Sequence, residues 1–527
     1  MKGAAIAASL ALALVTYFQF PGHTWLQQDS QIYAPILEHL HDSSVLRNDI
    51  LAQQPHVTYT IYDEAALFLR ALTHSDFHQV LAVEQVAARA CGIYGLYLAA
   101  AAMGLEMAPA LLVAAIVSLG AAIVGPAVLT FEYEPTPRAF AVPLLICAMG
   151  LTAQRRLTAA ATAAAVAFLF HPPTAVPFLA VFAVVLAVRR EFRPLAPLAA
   201  GVVLLWMAAH ADGGSEAVTF FGRLAPLQEQ LQRLRASYVW ISTWRLAWVL
   251  HYLLLSAILT AAFLRLRHKI PGELAICLLG LPLVGLLTMP SSAILLERMR
   301  WALLPEFQPM RALLFVVLSA QILTAAAGIS AAQHRRPFEA LAWFTCAYLP
   351  PLQLSIAEPF HANRAALAVV LAAATAFAVS SAPRFSPAVA LAAFFAIPAL
   401  GGVVNYPHLA TPELSQLSTW ARSSTPKDAV FAFPDAGHAL HPGIFRSDAL
   451  RAVYVDWKGG GQVNYLKDFG EQWWFRWQQT MVRGVEDADL PRFQALGIAY
   501  VVLQLPHRLP RRSAFENTRY VAYATGH

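Results

Sequence analysis

Apolar residues run in long blocks through roughly the first 400 positions, broken by short polar stretches, and many blocks approach the ~20 residues that cross a bilayer as a helix. The first block, Gly3 to Phe20, ends in Tyr17-Phe18-Gln19-Phe20-Pro21 with no small-x-small cleavage site. It therefore reads as a membrane helix rather than a removed signal peptide. Further blocks predict spans at 79–103, 107–130, 138–153, 157–171, 174–188, 195–211, 243–264, 271–289, 311–329, 338–355, 365–382 and 387–404. With the first, that makes about 13 spans. The shorter ones predict proline-broken or partly re-entrant helices.

Alternate numbering of the spans collects Lys2, Arg155-Arg156, Arg189-Arg190, Arg193, Arg265, Arg267, Lys269, Arg335-Arg336 and Arg384 on one side. These lie in short loops, where the positive-inside rule has force, so that side is cytoplasmic. The polar segments 21–78, 212–242, 290–310 and everything from 405 then fall outside, with the C-terminus. The expected organisation is a transmembrane module over 1–404, with outer loops 21–78 and 212–242, and an extracytoplasmic domain over 405–527.

Composition agrees with the pattern. The 527 residues are 58% hydrophobic and 13% charged, against about 25% charged in soluble domains. Collagen-like, disordered, small disulfide-rich and plain soluble classes are excluded. The net charge of +6 is modest, and its basic residues are topology signals, so nucleic acid is not an expected partner. Cys91, Cys147, Cys277 and Cys346 sit inside apolar stretches without metal-site spacing.

In the first outer loop, Ile32, Ile36, Leu37 and Leu40 suit one helix face, and a second helix is expected from Tyr62 to Leu72 with Asp63 and Glu64 in its first turn. Both are amphipathic and suit a membrane interface. The second outer segment opens on Asp212-Gly213-Gly214-Ser215, continues as a helix over Leu224–Leu234, and reaches Tyr238, Trp240, Trp244 and Trp248, an interfacial aromatic belt. Beyond 405, helices at Leu414–Arg422 and Tyr465–Met481 alternate with strands at Ala429–Phe433, Ala452–Val455, Ala499–Leu503 and Arg519–Tyr523, a small α/β domain. Gly459-Gly460-Gly461 reads as a flexible turn or, alternatively, a phosphate cradle.

The candidate chemistry gathers at the outer ends of the spans. Asp29, nine residues past the first block, can take a proton from a hydroxyl or ligate a metal; it equally fits a helix N-cap. Glu132, Glu134 and Arg138 share one short turn, as a loop salt bridge or as a phosphate-binding fork. His171-Pro172-Pro173 ends a span, and its imidazole can bind phosphate, move protons or simply stop the helix. Arg298, Arg300 and Arg311 surround another outer span end and suit a lipid phosphate or interfacial snorkelling. Glu84 and Arg89 lie within a span, where ionisable groups are functional or form a structural pair. Arg446, Arg451, Asp456 and Lys458 flank a strand, and Trp473-Trp474 with Trp477 suit sugar stacking or aromatic packing.

This layout resembles the bacterial integral-membrane glycosyltransferases of the GT-C superfamily: an opening span, a long first outer loop with Asp29 near its start, a further large outer loop, and a closing outer α/β domain. Gln28-Asp29-Ser30 with Tyr33, Glu134-x-x-x-Arg138, His171-Pro172, Gln308-Pro309-x-Arg311, Phe445-Arg446-Ser447 and Asp456-Trp457-Lys458 are similar to a subset of that group. The resemblance implies an α-helical polytopic membrane protein that is a hexosyl- or pentosyltransferase of the cytoplasmic (inner) membrane. Its donor would be a polyprenyl-phosphate-linked sugar, and its acceptor a lipid, glycan or protein on the outer face. Asp29 is then the candidate catalytic base, with Glu132, Glu134, Arg138, His171, Arg298, Arg300 and Arg311 at the donor phosphate. Asp29 follows Gln27-Gln28 rather than a second carboxylate, so no metal site is assigned and a divalent metal stays open. A lipid or glycan transporter, or a non-catalytic protein of envelope glycan assembly, is the alternative.

Overall fold

A computed structural model of the chain describes residues 2–54, 57, 59–211, 222–400, 409–481 and 484–526. The Asp212-Gly213-Gly214-Ser215 opening, Pro55-His56 in the first outer loop and the 401–404 end of the last expected span lie outside the described residues. The chain is an α-helical polytopic membrane protein with a small α/β portion near its C-terminus. Pro172–Arg189, Leu246–Leu266, Gly272–Arg298, Leu303–Gln333 and Ala362–Ser381 are long and apolar enough to cross a membrane, and shorter apolar helices accompany them. The chain divides into two compact units, one of Met1–His23, Leu81–Ala208 and Tyr238–Asn405, the other of Thr24–Val80, Ala209–Ser237 and Tyr406–His527.

The first unit is a helix bundle centred on Leu314–Gln333, whose residues from Leu314 to Ala332 are all buried. Its Ala, Ser and Gly side chains let Leu246–Leu266, Gly272–Ser292 and Pro337–Leu352 pack close. Where Phe77–Ala102 meets Pro137–Ala153, a methyl on Gly95 would come within 2.5 Å of the Cys147 Cα, so that crossing requires glycine. Outer helices expose Val202, Leu204, Trp206, Leu253 and Phe377, the inside-out pattern of a lipid-facing surface. One expected span is corrected: 107–130 is a helix only over Met107–Ser118, followed by strands β1 (Ala122–Ile123) and β2 (Val128–Leu129) paired antiparallel. Gly120 and Gly125, with φ of 75° and 87°, turn the chain while its hydropathy stays high.

The second unit carries a five-stranded sheet. Strands β3 (Val430–Ala432), β4 (Ala452–Val453), β5 (Tyr500–Gln504), β6 (Phe515–Glu516) and β7 (Tyr520–Ala524) lie in the order β4-β3-β5-β7-β6. The first three are parallel, with Phe431 opposite Val453 on one side and Tyr500 on the other; β7 runs antiparallel to β5. Helices Pro412–Ser424 and Lys467–Thr480 match the sequence pattern closely. Helix His441–Ala449 has no counterpart among the expected elements; Ile444 and Phe445 seat it in the core with Phe431, Phe433 and Val453. Helix Ser30–His41 packs against His441–Ala449 in this unit.

Candidate functional site

In the first unit, the turn before Pro137–Ala153 is fastened from two directions. Glu132 Oε1 accepts from Arg138 Nε at 2.7 Å and from the Leu129 amide at 3.0 Å, and both side chains of the pair are buried. The Glu132 carbonyl accepts from Gln85 Nε2 at 2.9 Å and Arg89 Nη2 at 2.6 Å. Arg89 also donates to the Thr16 and Gly22 carbonyls, each at 2.8 Å. Arg89, inside helix Phe77–Ala102, thus ties the end of the first helix to the turn carrying Glu132 and buried Glu134, just before Arg138.

His171 joins two helices, Leu157–Phe170 and Pro172–Arg189, and its Nδ1 lies 3.2 Å from the Thr174 amide at the start of the second. Arg311, 8% exposed, rides on the turn Pro309–Leu313, entered through Gln308 at a φ of 45°. Its Nη1 lies 3.3 Å from His171 Nε2. A neutral imidazole has one lone-pair nitrogen, so it cannot accept from both the Thr174 amide and Arg311. Arg311 Nε has no partner among the described residues. A buried guanidinium therefore faces an imidazole and keeps a donor in hand, where an anionic oxygen would complete its bonding. Arg298 and Arg300, assigned to the same role from sequence, are exposed, at the end of and just after a π-helical turn, Ala293–Arg298, whose Glu297 Oε1 accepts from the Ser242 amide at 2.8 Å.

In the second unit, Asp29 precedes Ser30–His41 with helical backbone angles and no side-chain capping bond. The N-cap reading is thereby overturned. Its Oδ1 instead accepts from Lys458 Nζ at 2.6 Å, and Lys458 also reaches Gln28 Oε1 at 3.4 Å. Gly459–Asn464 is a short 3-10 segment in which a Cβ on Gly460 would stand 2.5 Å from the Trp473 ring. Trp473 is 1% exposed and donates to the Asp456 carbonyl at 2.9 Å, so it belongs to the core. Arg235 lies 3.7 Å over the Trp457 ring, and the His438 ring stacks 3.7 Å from it.

Asp49 is not among the candidates that the sequence pattern singles out. Its Oδ2 accepts from Arg446 Nε at 2.6 Å and the Val453 amide at 2.9 Å, and Oδ1 from the Leu51 amide at 2.9 Å. Arg446 Nη2 also pairs with Asp456 Oδ1, and all three residues are buried. The two carboxylates drive the guanidinium's pKa above its ordinary value against the opposing effect of burial. No local signal links Asp49 to Arg446 across nearly the whole chain. Arg451 serves the end of helix Pro412–Ser424, donating to the Arg422 and Thr425 carbonyls at 2.8 Å each. Among the described residues no group of three or more His, Cys, Asp or Glu is placed to hold a metal. An ammonium against Asp29 does not suit a divalent cation, which seeks several oxygen ligands.

Residues 412–480 match a family described as a domain of unknown function, DUF6798. No curated protein matches the chain. Among solved structures, it is similar to ArnT from Cupriavidus metallidurans in the apo state (13% identity, 99% of this chain and 97% of that one, TM-score 0.46). It is also similar to the archaeal oligosaccharyltransferase AglB from Archaeoglobus fulgidus in complex with an inhibitory peptide and a dolichol-phosphate (11% identity, 95% and 69%, TM-score 0.42). A third is the arabinofuranosyltransferase AftD from Mycobacteria (16% identity, TM-score 0.44), where the whole chain spans 40% of the other's length.

Proposed function

We propose that the chain is a membrane glycosyltransferase that moves a sugar from a polyprenyl-phosphate-linked donor to a lipid, glycan or protein acceptor on the outer face of the cytoplasmic membrane. Asp29 is the base. It takes the acceptor hydroxyl proton as that oxygen attacks the anomeric carbon; the carbon–oxygen bond to phosphate breaks, and the polyprenyl phosphate leaves with the electron pair. Arg138 and Arg311 stabilise the charge that develops on the leaving phosphate, and His171 orients Arg311 there. Glu132 and buried Glu134 belong to the turn that orients Arg138, while exposed Arg298 and Arg300 attract the anionic headgroup from the surface.

The observation that carries the reading is Arg311, buried among apolar helices against an imidazole with Nε unused. Such an arrangement is costly without an anion and favourable with one. The test is Asp29→Asn in a deletion strain, with mass spectrometry of membrane lipids and surface glycans. The deletion strain should lack one sugar and accumulate a polyprenyl-phosphate sugar. Wild-type chain should restore the glycan and D29N, present in the membrane at equal level, should not. Full restoration by D29N removes the base role.

A further inference from the structure

We infer that Lys458 is the positioning residue of the candidate base: the segment after β4 holds the Asp29 carboxylate, and the buried Asp49–Arg446–Asp456 triad fixes that segment. The inference rests on the reading of Asp29 as the base, and it gives the C-terminal part of the chain a direct task in the reaction.

The chain around Lys458 is pinned at every neighbouring position. Upstream, the Val453 amide is held by Asp49 Oδ2 at 2.9 Å. Asp456 Oδ1 pairs with Arg446, its Oδ2 accepts from the Gly459 amide at 3.1 Å, and its carbonyl accepts from Trp473. Trp457 is stacked by Arg235 and His438. Gly460 lies against Trp473 so closely that no side chain fits. Residues 456, 457, 459 and 460 are thus all committed, which places the stem of Lys458 and leaves its ammonium, 14% exposed, at Asp29.

The other partner is equally held. Ser30 Oγ accepts from the Leu26 amide at 2.8 Å and Gln31 Nε2 donates to the Leu26 carbonyl at 2.7 Å, fixing the approach to Asp29. A lysine usually spends its rotamer freedom in water, and an exposed ion pair is worth little. Here the surroundings have removed that freedom beforehand, so the ammonium orients one carboxylate oxygen and favours its charged form. Lys458 gives up no proton in the reaction.

The test uses the full chain in proteoliposomes, with the polyprenyl-phosphate sugar that accumulates in the deletion strain as donor. Lys458→Met should lower kcat about 100-fold, the scale of one misplaced acid–base group, leave the donor KM within a factor of three, and move the acidic limb of the kcat/KM profile to higher pH. Lys458→Arg should restore part of the rate, and Lys427→Met, at an exposed lysine, should change nothing. A raised donor KM with kcat intact would make Lys458 a phosphate ligand and overturn the proposal, as would a K458M enzyme with wild-type kinetics. If D29N is fully active, the base reading itself fails; if D29N is dead and K458M unaffected, only the present inference fails.

Should K458M not fold, wild-type membranes treated with a water-soluble carbodiimide decide. The activated Asp29 carboxyl should form an amide bond to Lys458 Nζ as the urea departs, seen as one cross-linked peptide pair by mass spectrometry and accompanied by loss of transfer activity. Absence of that cross-link, or full activity in cross-linked protein, sinks the proposal.

Discussion

Two buried clusters of charge, one in each unit, solve the same electrostatic problem in opposite ways. In the second unit, Arg446 lies between Asp49 and Asp456, and the carboxylates also accept backbone amides from Leu51, Val453 and Gly459. The two carboxylates offset the guanidinium's desolvation on the spot and fix its geometry, with only Nη1 left without a partner among the described residues. In the first unit, Arg138 is matched by Glu132, whereas Arg311 meets the His171 imidazole and keeps Nε unused. The difference lies in the partners: two carboxylates already balance Arg446, whereas the charge of Arg311 faces an imidazole and no carboxylate.

Substitution should separate them by what it damages. Arg446→Met strands two buried carboxylates and should destabilise the second unit by about 3–5 kcal/mol, read as a large fall in its melting temperature in detergent. A small fall would place Arg446 with the ligand-ready charges instead. Arg311→Met should weaken binding of undecaprenyl phosphate by about 1.5–3 kcal/mol, the value of a hydrogen bond to a charged group, with the melting temperature nearly unchanged. An equal loss of stability and unchanged lipid binding would erase the contrast.

Asp63 sharpens the comparison with a third solution. Burial and the neighbouring Glu64 raise its pKa from 3.8 to about 8, and its Oδ1 has no partner among the described residues. It sheds its charge rather than pairing it. Because the folded value is above the unfolded one, this residue's effect on stability is most favourable below about pH 4 and worsens up to about pH 8, beyond which it is level. Asp63→Asn should flatten that decline and stabilise the second unit at pH 8 relative to wild type, on the order of 1 kcal/mol, measured as melting temperature against pH. An unchanged pH profile would mean that Asp63 is ionised in the folded protein.

Much of the secondary structure is written locally. Apolar length marked most helices of the first unit to within a few residues, because hydropathy needs no knowledge of neighbours. It failed at 119–130, where an apolar hairpin and an apolar helix have the same composition, and at His441–Ala449, where tertiary burial overrides a weak helix start. The candidate residues were visible by type but not by task. Asp29 fitted the pattern of a cap as well as that of a base, and the sequence held no sign of the partner 429 positions later that its carboxylate meets. The tryptophans fitted sugar stacking until Trp473 proved to be core.

The sequence by itself therefore determined that this is a helical membrane protein, which helices are apolar, and that an α/β portion closes the chain, since each follows from composition and periodicity over neighbouring residues. Tertiary structure alone decided which charges are satisfied and which are held ready: Asp49 with Arg446, Lys458 with Asp29, Arg311 with His171. A charge takes its character from what lies within a few ångströms of it, and in a folded chain those neighbours come from anywhere along the sequence.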